Sequence, residues 1–370
     1  MHSLTPYFPA AFLSKLSNGL ASALIAVLCV ALVGCAKNVL PTPELPTRVV
    51  QKMPNITYNA QTNTYTTTLK VLAYNVEGLP FPLRTGRGKY LKKIGAGLAK
   101  LRERGLEPDI VLIQEGFMDS TLDLINTAGY RNVVAGPKRK ERPPKINNAR
   151  TASFEKGLYS FKGEGWGKAY HSGLYILSNY PLTSRHVWGF RHCAGWDCLS
   201  NKGVMATEVR IPGLPQPLMV ANVHMQAGGA SGVPLERSTQ AHKLQIDETR
   251  QFFRRLPLNG EPFIFGGDFN IRNKEDRLLH GLRAMRVAEP TMLARHYCTK
   301  VNLTCDIDMK MPSQEEPWRH TQDLQGFVHG NHIQISVIRL EAVFDGADQN
   351  NPQLSDHDGY MVTYKLSWRQ

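Results

Sequence analysis

The chain has 370 residues, 44 basic against 31 acidic, and a formal net charge of +13. Such a length holds one large domain or two ordinary ones, and the composition is that of a folded soluble protein without a fixed-period repeat, which sets repeat architectures aside. Excess positive charge favours an anionic partner, whether nucleic acid, an acidic lipid surface or a phosphorylated substrate, without choosing among them.

Lys15 precedes an apolar run from Leu20 to Val33 that ends in Leu32-Val33-Gly34-Cys35. The run is too short and wrongly flanked for a stable membrane span, and it fits the hydrophobic part of a secretory signal. Its end resembles the bacterial lipobox. That resemblance implies that residues 1–34 are a lipoprotein signal peptide and that Cys35 becomes the acylated first residue. The product is then exported and anchored to a bacterial membrane, in the outer membrane or periplasm or at the cell surface. A plain signal peptide with an incidental cysteine is the alternative. Residues 35–54 are proline-spaced without apolar periodicity and read as an extended tether.

From Asn55 to Thr68 a weak alternation predicts an edge hairpin. Leu69 to Tyr74 is a strand that delivers Asn75, and Lys89 to Arg104 is an amphipathic helix with Leu91, Ile94, Leu98 and Leu101 on one face. Asp109 to Gln114 is a second buried strand, delivering Glu115. The stretch from Gly136 to His171 is basic and glycine-rich, with Lys138, Arg139, Lys140, Arg142, Lys145 and Arg150. It reads as a solvated loop, or else as a lip that collects anions. Ser172 to Leu177, Leu182 to Phe190 and Gly203 to Arg210 are predicted strands, and Leu218 to Val223 is another that ends in His224. A helix follows from Pro234 to Arg255. The short apolar run Pro262 to Phe265 is stopped by two glycines and followed by Asp268 and Asn270, which point the same way in extended chain. Residues 290 to 330 give weak patterns. The last signals are Ile333 to Leu340, Ala342 to Phe344, the string Ser355-Asp356-His357, and a closing strand from Tyr360 to Leu366. No linker interrupts residues 69 to 366, so these read as one domain.

Cys29 lies in the signal, leaving Cys193, Cys198, Cys298 and Cys305. In an exported protein an even set predicts two disulfides, and the local pairing of Cys193 with Cys198 and Cys298 with Cys305 is one of three connectivities. A zinc site at His296 and Cys298 is the rival, with poor spacing.

Five strands thus end in polar residues: Asn75, Glu115, His224, Asp268 with Asn270, and Asp356 with His357. Singly, each has an ordinary explanation as a turn, a helix cap or a satisfied core histidine. Together and in this order they resemble the endonuclease/exonuclease/phosphatase superfamily, through Tyr74-Asn75-Val76, Ile113-Gln114-Glu115, Gly173-Leu174-Tyr175-Ile176-Leu177-Ser178, Asn222-Val223-His224, Gly267-Asp268-Phe269-Asn270 and Ser355-Asp356-His357. Within it, Leu199-Ser200-Asn201-Lys202-Gly203-Val204 and Val223-His224-Met225-Gln226-Ala227 are similar to strings of the bacterial neutral sphingomyelinases. The resemblance implies a deoxyribonuclease-like four-layer α/β sandwich, two packed mixed sheets flanked by helices, with residues 55–370 as the catalytic domain. The superfamily also carries an aspartate near Ile333-Gln334-Ile335 that holds the terminal histidine, and this chain lacks it there. Asp323 takes that role in the present reading, with Asp345 as competitor.

The chemistry so implied is divalent-cation-dependent hydrolysis of a phosphodiester, with magnesium or another divalent ion such as manganese. Glu115, helped by Asn75, is expected to hold the ion, and Asp356 to complete the acidic floor or touch a second ion. His357 is expected to act as base with Asp323 fixing its tautomer. Asp268 and Asn270 would position water, and His224 would bond the phosphate or leaving oxygen. A sphingomyelinase-like phospholipase C, monomeric and reaching the membrane through Cys35, is the first reading. A secreted nuclease, an inositol-phosphate phosphatase and a non-catalytic lipid-anchored binding protein are the rivals.

Overall fold

A computed structural model describes residues 52–144, 149–272, 274–284, 292–309 and 322–369. The signal run, Cys35, most of the tether and Lys145 lie outside these residues.

In chain order the strands are β1 (Thr57–Asn59), β2 (Thr64–Gly78), β3 (Ile110–Gly116), β4 (Asn132–Ala135), β5 (Tyr175–Ser178), β6 (His186–Gly189), β7 (Gly203–Val209), β8 (Leu218–His224), β9 (Phe263–Asp268), β10 (Met292–Leu293), β11 (Asp306–Asp308), β12 (Asp323–Val328), β13 (Ile333–Val343) and β14 (Gly359–Trp368). Among the described residues they form two sheets. The first runs β11-β13-β14-β2-β3-β5-β4 with β1 beside β2, and the second runs β10-β12-β9-β8-β7-β6. Both are mixed: β2 with β3 and β8 with β9 are parallel, while β14 with β2 and β12 with β9 are antiparallel.

Strand β9 shows why the sheets stack. Its Ile264 joins Val71, Leu112, Val220 and Phe327 in the core between the sheets. Phe263 and Phe265, one residue to either side, point the other way and meet Ile246, Phe252 and Phe253. Alternation at period two thus buries both faces of one strand. The helix supplying those partners is the long one near residue 240. On the first sheet's outer side lie α1 (Arg87–Glu103), which buries Leu91, Ile94 and Leu98, and α2 (Ser120–Ala128), which buries Leu124 and Ile125. A short α3 (Ala149–Lys156) follows, and the second sheet is covered by α4 (Leu235–Phe253) with α5 (Glu275–Ala284) beside it. The order helix, sheet, sheet, helix is the expected four-layer sandwich.

Several expected elements change extent. The predicted strand from Leu182 shrinks to His186–Gly189, because Ser184 Oγ accepts the Glu208 N–H and the Ser184 carbonyl accepts Thr207 Oγ, side-chain bonds that stand in for the ladder. The two late segments split at Glu341 are one strand, β13, with a bulge between Val337 and Arg339. Glu341 interrupts the apolar pattern only because its carboxylate takes Arg339 Nε at 2.7 Å. The basic stretch is not free loop. It contains α3, and Asn201 Nδ2 donates to the carbonyls of Lys138 and Glu141. Both local disulfides are present, Cys193 with Cys198 and Cys298 with Cys305, so neither late cysteine is available as a zinc ligand.

One glycine fixes how closely β8 and β9 approach. Gly267 has φ +132, and a Cβ there would lie 2.0 Å from the Val223 carbonyl oxygen. Gly267→Ala is expected to cost more than about 1–3 kcal/mol, the usual penalty for a side chain in a disfavoured backbone region. The clash adds to that figure. A lowered thermal midpoint checks it, and an unchanged midpoint would contradict this packing.

Candidate active site

The carboxyl ends of β2, β3, β8 and β9 and the amino ends of β12 and β14 lie along one rim of the sandwich. In the second sheet the register pairs His224 with Asp268 and Asp268 with Asp323, so three adjacent strands put imidazole, carboxylate and carboxylate in one row. In the first sheet Asn75 pairs with Gln114, which leaves Glu115 one residue further out. Three residues of the rim, Glu77, Glu115 and Asn270, have positive φ values of 49, 58 and 52. Non-glycine residues persist in that region only where their surroundings over-determine them.

Hydrogen bonds then connect the two sheets. Asn75 Nδ2 donates to Asp268 Oδ2 at 3.1 Å while Asn75 Oδ1 accepts the Glu77 N–H, and Ser355 Oγ donates to the Asn75 carbonyl. Asp268 Oδ1 accepts the Asn270 N–H at 2.9 Å, and Asn270 Nδ2 donates to the Met225 carbonyl. His224 Nε2 stands 3.6 Å from Asp268 Oδ2 and 3.7 Å from Glu115 Oε1. His357 Nδ1 is 2.9 Å from Asp323 Oδ2, and its Nε2 is 3.9 Å from Asp268 Oδ2. Asp345 instead receives Asn351 Nδ2 and the Ala347 N–H, closing its own turn. Asp323 is therefore the aspartate in contact with His357.

Of the residues singled out by sequence, Asn75, Glu115, His224, Asp268, Asn270, Asp323 and His357 are linked by these contacts. Asp356 makes no hydrogen bond to those residues, although its charge acts on His357. It is exposed at the lip, where Ser355 Oγ reaches its carboxylate at 3.4 Å.

The two histidines are in opposite electrical states. His224 is 0 % exposed, and neither ring nitrogen has a hydrogen-bond partner. Burial, reinforced by the charges of Lys202 and His357, drives its pKa well below the ordinary value, so it is a neutral imidazole. For His357 burial again disfavours the charge. The charge and hydrogen bond of Asp323, with Asp268 and Asp356 behind it, outweigh burial and raise its pKa to about 10. Burial also raises Glu115 to about 7, with Lys202 opposing, and raises Asp268 against the pull of His357.

Sequence reading left out two members of this neighbourhood. Lys202, buried at the start of β7, donates Nζ to Asp197 Oδ2 at 3.1 Å and to the Met225 carbonyl, and its charge acts on Glu115, His224 and Asp268. A lone lysine before a strand gives no sign of that. Gln322 places its amide 3.0 Å from His357 Nε2, and it sits in the weakly patterned region.

For a divalent cation, the rim offers oxygen donors of the kind that suit magnesium or another hard ion. No three His, Cys, Asp or Glu groups form a ready cage among the described residues. Magnesium needs no such cage, since it keeps several waters and takes one or two carboxylates plus substrate oxygens. Glu115 at the rim, with the Asn75 amide beside it, offers that donor set.

Comparison with known proteins gives the family and the fold. Residues 72–340 match the model of the Endonuclease/Exonuclease/phosphatase family. A sphingomyelinase of Mycobacterium bovis is 25% identical over 228 residues, 59% of this chain and 37% of that protein. A sphingomyelinase C of Bacillus cereus is 26% identical over 209 residues, 55% of this chain and 57% of that one. The chain thus spans only part of the curated relatives it matches. Two crystal structures of beta toxin from Staphylococcus aureus share the fold at 16% identity, with TM-scores of 0.54 and 0.51, covering 82% of this chain and all of theirs. The second carries bound magnesium ions. The chain belongs to the endonuclease/exonuclease/phosphatase family.

Proposed function

We propose that this protein is a magnesium-dependent phosphodiesterase of the phospholipase C type, which cleaves a phospholipid into a phosphorylated headgroup and a lipid alcohol. The observation that carries the reading is the pair of unlike imidazoles, neutral His224 and carboxylate-held His357, on either side of Asp268 at one rim. A tetrahedral phosphorus with anionic oxygens needs a hydrogen-bond donor on one side and a proton acceptor on the other. Relatives named sphingomyelinase support the lipid substrate over the rest of the family's range.

Glu115 and Asn75 would hold the cation, which supplies charge stabilisation at a phosphate oxygen. Asp268 and Asn270 fix the position of the attacking water, since Asp268 is itself locked by Asn75 and the Asn270 N–H. His224 Nε2, unpartnered and buried, donates to a phosphate or leaving-group oxygen. His357 Nε2 takes the water proton as the new phosphorus–oxygen bond forms and the ester bond to the lipid alcohol breaks, and the departing alkoxide regains a proton from solvent. A base must be neutral at working pH, and the three carboxylates around His357 work against that. A cation held at Glu115 would oppose the imidazolium and lower its pKa. Asp356 borders the lip and adds negative charge there. At the other end of the chain, Leu32-Val33-Gly34-Cys35 supports export and acylation at Cys35, which would put the enzyme on a bacterial membrane.

Parallel assays decide the substrate. With magnesium, the purified protein is expected to release phosphocholine from sphingomyelin vesicles and to leave plasmid DNA intact. Nicked plasmid with no phosphocholine would instead make it a nuclease, the reading that the +13 charge favours. Neither product would leave a binding protein.

A further inference from the structure

The connection between α3 and β5 carries Leu158-Tyr159-Ser160-Phe161-Lys162-Gly163-Glu164-Gly165-Trp166, and its apolar side chains face outward. Phe161 is 93% exposed, Leu158 53%, Trp166 43% and Tyr159 41%. Trp196, from the neighbouring turn, is 36% exposed and meets Trp166 edge-on at 6.1 Å between ring centroids. Isolated exposed apolar residues need no explanation, but contiguous ones do.

This loop is held rather than loose. Glu164, 1% exposed, takes Arg237 Nη2 at 2.7 Å and Nε at 3.3 Å, the Tyr159 N–H at 3.0 Å and the Gly195 N–H at 2.9 Å. Arg237 reaches onward to the Phe154 carbonyl and lies over the Phe154 ring. A buried, fully bonded carboxylate and guanidinium thus fix a ridge whose aromatic rings stay in water. The adjoining turn contains Asp197, which bonds Lys202 and the Ala227 N–H, so the ridge shares its footing with the rim of the site.

We infer that this Glu164-anchored aromatic ridge docks the enzyme on a lipid bilayer surface, and the inference rests on the phospholipase reading above. Rings with an apolar body suit the boundary between acyl chains and headgroups. Charge complements them. Lys156 and Lys162 are exposed, and Lys162 Nζ is 5.8 Å from the Trp196 ring centroid, where it can meet a lipid phosphate. Rigid presentation limits the conformational entropy lost on docking.

The test uses the whole protein with vesicles of phosphatidylcholine, sphingomyelin and 20% phosphatidylserine, some brominated in the acyl chains. Brominated vesicles are expected to quench tryptophan emission of the parent and to lose most of that effect on a W166F/W196F double variant. Phe161→Ser is expected to lower turnover on vesicles about tenfold or more while changing hydrolysis of soluble bis(4-nitrophenyl) phosphate less than twofold. Equal quenching of parent and double variant, or an equal loss on both substrates, would overturn the inference. So would quenching by single-stranded DNA in place of vesicles, which would make the ridge a base-stacking platform. If the phospholipase reading itself is wrong, the vesicle phospholipid is not turned over, yet the quenching arm still reports on docking.

Discussion

Replacing His357 by alanine is expected to lower phosphodiester turnover about 100- to 10,000-fold, the usual range for removal of a positioned acid or base. The circular dichroism spectrum is expected to stay unchanged. The ring lies 2.9 Å from Asp323 and 3.9 Å from Asp268, between the two carboxylates. Wild-type turnover with saturating magnesium would refute the role. Asp323→Asn separates positioning from bulk. It keeps the shape but removes the charge that raises His357, so the imidazole pKa, followed by NMR in the cation-free protein, must fall from about 10. The sign carries into stability. A histidine whose folded pKa is raised contributes stability that is complete below about 6.5 and is lost as pH rises through about 10. Asp323→Asn removes that contribution.

The second large effect is at Glu115. Glu115→Gln is expected to lower kcat/KM about 1,000-fold or more, since cation-borne charge stabilisation is worth several kcal/mol and each 1.4 kcal/mol is a factor of ten. Its cation affinity should show a pH signature that a bystander would not. Burial holds the parent Glu115 proton up to about 7, and the cation needs the carboxylate. Magnesium binding measured by calorimetry is therefore expected to tighten as pH rises from 5 to 7 and then level off. In the glutamine variant that slope should vanish. An unchanged slope would place the cation elsewhere.

Strand ends were legible where apolar runs were uninterrupted. Leu69 to Tyr74, Asp109 to Gln114 and Leu218 to Val223 are mainly apolar segments buried along most of their length, and each leads into the polar residue it delivers. Strand β12 was not legible, although it carries Asp323. Its Gln325 is buried because the side-chain amide bonds the carbonyls of Val71 and Tyr360 in the opposite sheet. Its Gly326 is there because a Cβ would sit 2.4 Å from the Phe265 ring. Both needs come from partners distant in sequence, so the local pattern looks polar and broken. Lys202 was missed for a related reason. Its role arises from burial beside Asp197 and from its distance to three acids and imidazoles, none of which a single sequence displays.

The row of His224, Asp268 and Asp323 across three paired strands separates two kinds of change. Reacting groups hang from backbone that cannot shift without breaking a ladder, whereas the aromatic ridge and the lip are carried by connections outside it. Exchange of residues 158–166 for another loop should then change the surface on which the protein docks and leave its chemistry in place.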